Sequence, residues 1–146
     1  MKSVKKNRYK IIPDLELTLQ LHIGKNDFDD CKSLKSEIIN DQLFCPNFNL
    51  IIDIRDAEID MTPEQLAKYS TFVESIHNPN KKIKIGVLTS NPEHVSSTIL
   101  FKLNLNSEFL NYKAFSISKA LLKWMYNDSF ESHILLESII SHEKNK

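Results

Sequence analysis

A chain of 146 residues, 41% hydrophobic and 26% charged, is long enough to bury one core and too apolar to be disordered. Its 19 basic and 19 acidic residues cancel, so it lacks the basic excess with which a nucleic-acid binder meets phosphate, and no nucleic-acid partner is expected. No stretch approaches the ~20 apolar residues of a membrane span, and Glu16, Gln20 and His22 interrupt any signal-peptide core, so a single cytoplasmic domain over residues 1–146 is the expectation.

Residues 1–7, with Lys2, Lys5 and Lys6, lead into Arg8 and Lys10 and read as a flexible, solvated basic tail. Residues 8–12 read as a short strand and Pro13-Asp14 as a turn. Leu15, Leu17, Leu19, Leu21 and Ile23 then alternate with Glu16, Thr18, Gln20 and His22. Period two predicts a strand with one buried face and one wet face. The two strands are expected to pair antiparallel, although Pro-Asp is not a favoured two-residue hairpin turn. Gly24 ends the second strand. Asn26 or Asp27 caps a helix running to about residue 40, with Phe28, Cys31, Leu34, Ile38 and Ile39 on one stripe. Residues 41–48, with Pro46, form a loop.

The run Leu50–Ile54 is almost continuously apolar and takes one acid, Asp53. Such runs are buried on both faces, as in a parallel sheet between helices. Thr62-Pro63-Glu64-Gln65 combines a capping box with proline at the first helical position. It starts a helix over 63–76 that buries Leu66, Tyr69, Phe72, Val73 and Ile76. His77–Asn80 closes it, and Lys82–Thr89 is a strand containing Gly86. Ser90-Asn91-Pro92 opens a helix over 92–103, Tyr112–Ile117 is a strand, and Ser118 caps a helix carrying Leu121, Leu122, Trp124 and Met125. Residues 128–143 form an extra amphipathic helix through Phe130, Ile134, Leu135 and Ile139. The order β-β-α-β-α-β-α-β-α-α predicts an α/β domain with one mixed, mostly parallel sheet of four or five strands.

Gly24 and Gly86 are the only glycines, too few for a P-loop or a dinucleotide-binding turn. There is no G-x-S-x-G elbow or H-E-x-x-H helix, and the five histidines show no ligand spacing. Cys31 and Cys45 have no CxxC spacing and read as free thiols. No catalytic set, metal site or cofactor is expected. Asp53, Arg55 and Asp56 admit two readings, a general acid/base pair or an ion-paired turn. A fixed cation between two acids lowers both pKa values and spoils a base that must work near neutrality, which favours the turn. Thr89, Ser90 and Asn91, at a strand end and helix start, could bind an anion or simply cap; capping is the simpler reading. A Ser90–His94 nucleophile pair lacks a third, orienting group. Trp124, Met125 and Phe130 read as core, with an apolar patch for the last helix or a second chain as the alternative.

The opening hairpin, Asn49-Leu-Ile-Ile-Asp-Ile-Arg-Asp-Ala57, Ile83-Lys-Ile-Gly-Val-Leu88 and Ala114-Phe-Ser-Ile-Ser-Lys-Ala-Leu-Leu-Lys-Trp124 follow one another in a pattern that resembles the STAS fold of anti-sigma-factor antagonists. Within that fold it more nearly resembles the bacterial SpoIIAA-like proteins, which are related in shape to CRAL-TRIO lipid-binding domains. The resemblance covers residues 8–126. It implies a non-enzymatic regulatory or protein-interaction module, with a small apolar ligand or lipid as the alternative cargo and a homodimer as a compatible assembly. Antagonists of the family switch by phosphorylation of a serine in an Asp-Ser-x-Gly-type stretch. The matching residues here are Asp60-Met-Thr-Pro-Glu64, where Thr62 stands near the serine's place, the glycine is absent, and Thr62 reads as a structural cap. The resemblance also places the partner-facing segment here. Asp56, Glu58, Asp60 and Glu64 make it locally acidic, which would favour a basic protein partner. Ile59 and Met61 among those acids are either contact points or residues folded back onto the core.

Overall fold

The computed structural model describes residues 6–77, 80–91, 110–127 and 130–146. Its elements are β1 (Arg8–Ile12), β2 (Leu17–Asn26), α1 (Phe28–Ile39), β3 (Asn49–Ile59), α2 (Pro63–Ile76), β4 (Ile83–Leu88), β5 (Leu110–Phe115), α3 (Ser118–Tyr126) and α4 (Phe130–Lys144). The strands form one mixed five-stranded sheet in sequence order. β1 is antiparallel to β2, and the other neighbours are parallel. The helix expected over 92–103, with His94, most of the basic tail, and the side chain of Phe130 lie outside the described residues. Among the described residues no helix is long and apolar enough to cross a membrane.

Strand alternation divides the core in two. Leu50, Ile83, Ile85, Val87, Leu110 and Tyr112 face Cys31 of α1 and Leu66, Tyr69 and Val73 of α2. Leu17, Leu19, Leu21, Ile51 and Leu88 face Leu121, Leu122 and Met125 of α3 and Leu136 and Ile140 of α4. Gly86 belongs to the second face. A Cβ there would stand 2.8 Å from the Leu121 side chain, so glycine is what lets α3 sit this close to the sheet.

Both long N-capped helices start as their sequences predict. Asp27 caps α1, accepting from Asp30 N at 2.9 Å while Asp30 Oδ2 accepts from Asp27 N at 3.0 Å. Thr62 Oγ1 accepts from Gln65 N at 3.1 Å, and Gln65 Oε1 accepts from Thr62 N at 3.0 Å. Each box satisfies amides that a helix start otherwise leaves unpaired.

Several expectations are corrected. β2 has no wet face: Gln20 is 0% and His22 2% exposed, because β2 is an interior strand covered by helices on both sides. Leu15 does not belong to it. The hairpin is closed by a 3-10 turn over Pro13–Leu15 with Glu16 left-handed at φ 50°, which leaves Leu15 exposed, while Ile23 is only half-buried. β5 begins and ends two residues earlier than predicted, so Ile117 rather than Ser118 holds the helix-cap position, without a side-chain cap. α4 buries Leu136, Ile140 and Glu143, whereas Ile134 and Leu135 are exposed; the helix is rotated from the predicted stripe. Met125 is core and Trp124 is half-buried against Phe115, their ring centroids 5.4 Å apart.

Candidate functional site

β3 is longer than the apolar run that announces it. Leu21 pairs with Asp53 but Ile23 pairs with Asp56, so β3 carries one extra residue, a bulge. The bulge shifts the side-chain alternation. Arg55 and Asp56 both reach the α4 side, and Ile59 comes to the α2 side with Ile52 and Ile54.

On the α4 side, the predicted trio Asp53, Arg55 and Asp56 is brought together, in a strand rather than in the expected turn. Asp53 is fully buried. Arg55 donates to it through Nε at 3.0 Å, Nη2 at 2.8 Å and its backbone N at 3.0 Å. Arg55 Nη1 also reaches Glu137 Oε1 at 2.9 Å. Lys144 Nζ lies 3.1 Å from Asp53 Oδ2 and 2.9 Å from Asp56 Oδ2. Burial works against the Asp53 charge, but the hydrogen bonds and charge of Arg55, with the charge of Lys144, hold its carboxyl below the usual carboxylate range. Arg55 is correspondingly raised, first by its Asp53 hydrogen bond. This cluster ties α4 to the sheet, and the lowered pKa of Asp53 makes that carboxylate a poor base near neutrality.

The remaining predicted residues scatter. Glu58 and Asp60 are exposed, and Asp60 lies 3.6 Å from Lys25. Thr89 is buried with its backbone N donating to Phe115 O at 2.9 Å, and Ser90 Oγ donates to Arg55 O at 3.3 Å. Ile59 and Met61 turn inward and pack on the core. There they line, with Ile52, Ile54, Leu66 and Val87, an apolar cavity of about 60 Å³ between the sheet and α2. His22, Cys31, Tyr69 and Tyr112 complete its lining.

Behind this cavity runs a polar chain. Lys35 is 2% exposed and donates through Nζ to Gln20 Oε1. Because an ammonium only donates, the Gln20 oxygen faces Lys35 and its nitrogen faces His22 Nε2, 3.2 Å away. His22 Nδ1 donates to Asn26 Oδ1 at 3.1 Å. That oxygen also accepts from Asn7 Nδ2 at 2.6 Å, while Asn26 Nδ2 donates to the carbonyls of Ile23 and Gly24, both at 3.2 Å. Gln20 hydrogen-bonds Tyr69 as well. His22 is therefore neutral, with its proton on Nδ1.

Burial pulls the Lys35 amine down to about 7 and lowers His22, with the Lys35 charge adding to the His22 shift. Burial pushes the Cys31 thiol up to about 12, helped by Asp30 and Asp27. His77 falls to about 4 through burial and then Lys35. His77 Nδ1 donates to Pro46 O at 3.1 Å, which leaves the Nε2 lone pair buried; neither it nor Thr18 Oγ1 has a hydrogen-bond partner among the described residues.

Lys35, Gln20, His22, Asn26, Glu137 and Lys144 were not among the predicted site residues. Lys35 had a signal: it occupies the 31–35–38 stripe of α1, where a solvated lysine does not belong. Gln20 and His22 were legible only once β2 was known to be interior. Among the described residues no group of three or more metal-ligating side chains could hold an ion. Comparisons with protein-family models, with curated proteins and with solved structures gave no match for this chain.

Proposed function

We propose that the protein is a non-enzymatic binding module of the STAS or SpoIIAA-like regulatory kind, whose site is the cavity between β3, β4 and α2. The observation that carries this reading is the cavity itself: an almost wholly apolar hollow with His22, Cys31, Tyr69 and Tyr112 among its lining residues, a concave apolar space of the kind that takes small molecules. Its volume of about 60 Å³ holds the slim apolar end of a ligand rather than a whole lipid. Inward-turned Ile59 and Met61 favour this over protein docking, because the acidic segment thereby loses its apolar contact points. Three of its four acids also have lysines nearby: Lys144 at Asp56, Lys25 at Asp60 and Lys68 at Glu64.

Native mass spectrometry of freshly purified protein, followed by methyl NMR of Ile52, Ile54, Ile59 and Met61 during titration with n-hexanol, tests the reading. The expected result is a retained small molecule or a saturable shift of these methyls, abolished by cavity filling in Leu66→Phe. Unshifted methyls, with no retained molecule, would overturn it.

A further inference from the structure

We propose that Gln20 couples Lys35 to His22 so that the pair holds one proton and not two, the proton's place being set by which way the Gln20 amide points. In the orientation described, Oε1 accepts from Lys35 Nζ and Nε2 donates to His22 Nε2. This suits a charged Lys35 and a neutral His22. Protonating His22 would set two N–H groups against each other. The amide must then rotate, so that Oε1 accepts from His22 and the nitrogen turns to Lys35, which can receive it only as a neutral amine with a free lone pair. Tyr69, the third partner of Gln20, follows either orientation because a hydroxyl both donates and accepts. The amide itself passes no proton. Lys35 and His22 exchange with water independently, and the rotation makes one charge exclude the other.

The surroundings reinforce the exclusion. Around Lys35 are Cys31 on its own helix, Gln20 and His22 on β2, and His77 at the end of α2. None is a carboxylate. His22 feels Asp53 and Asp30 as favourable charges, each more weakly than it feels Lys35. The far end of the chain is pinned: Asn26 is held by two carbonyls and by Asn7, whose Oδ1 in turn accepts from Ile23 N at 3.1 Å. Only the Gln20 amide is left to turn. Because His22 also lines the cavity, the two states present a neutral or a cationic wall to a ligand. That consequence rests on the binding reading; the proton sharing does not.

The test uses the free protein. Side-chain nitrogen NMR is recorded for Lys35 and His22 across pH in wild type, Lys35→Met, Gln20→Leu and the double variant. His22 in wild type is expected to stay in the Nδ1–H form well below the ordinary histidine midpoint of ~6.5. Lys35→Met should raise its midpoint by about one unit or more, the size that marks coupled sites. In the Gln20→Leu background the same substitution should raise it less. An equal rise in both backgrounds would mean plain charge repulsion and would overturn the role of the amide. Should Lys35→Met not fold, wild type alone decides: Lys35 still charged above pH ~9, with His22 titrating near ~6.5, would refute the coupling. A failed hexanol titration with an intact double-variant difference would discard the ligand reading and leave the switch standing.

Discussion

The two faces of the sheet solve the problem of a buried charge in opposite ways. On the α4 side, buried Asp53 sits between Arg55 and Lys144, with Glu137 completing the pairing. On the α1 side, buried Lys35 has a neutral amide as its hydrogen-bond acceptor. The first arrangement repays desolvation with opposite charge and several hydrogen bonds; the second does not, and the amine gives up its proton near neutrality instead. Packing follows the same division. Gly86 and Leu121 leave no room for a methyl group on the α3 side, whereas the α2 side keeps a cavity. One face is built to hold the chain together, the other to change state.

Breaking the paired face should have the largest effect. Asp53→Ala strands Arg55 and Lys144 beside a vacated site and should cost about 3 kcal/mol, the lower end for a broken buried pair because Arg55 keeps Glu137 and both cations are partly exposed. Chemical denaturation measures this, and a loss under about 1 kcal/mol would mean the cluster behaves as a surface one. Next in size is Gly86→Ala, which should cost about 2 kcal/mol by forcing α3 off the sheet; an unchanged melting temperature would contradict the tight packing. Smaller still is Thr62→Ala, outside both faces, at about 1 kcal/mol for a lost cap. An unaltered stability there would remove the structural reason for Thr62 and reopen its regulatory reading.

Element types were legible wherever local chemistry decides them. The capping box at Thr62 and the stripe of α1 depend on neighbours a few residues away; the box appears as predicted, and the stripe buries Cys31, Leu34 and Ile38 as predicted, with Lys35 added and Phe28 and Ile39 only half-buried. What depends on distant partners was not legible. Whether Gln20 and His22 meet water is decided by α1, and strand periodicity carries no record of a covering helix. The bulge in β3 is set by pairing with β2, so the inward turn of Ile59 and the joining of Asp56 to the α4 cluster could not be counted off from Leu50. For the same reason the trio Asp53, Arg55 and Asp56 was found as a group while its partners Glu137 and Lys144, at the other end of the chain, were missed.

The claim that Lys35 is an uncompensated cation is tested most directly by the pH dependence of unfolding free energy in wild type and Lys35→Met. The folded amine releases its proton at about 7, whereas in the unfolded chain it keeps it to ~10.4. The unfolded state thus binds more protons in between, and stability rises with pH at up to about 1.4 kcal/mol per unit. Cys31, held protonated to about 12, opposes this once unfolded thiols ionise near ~8.5, so the clear window is from about pH 7 to 8.5. The account predicts a rise across this window in wild type that is absent in Lys35→Met; parallel, flat curves for the two proteins would contradict it.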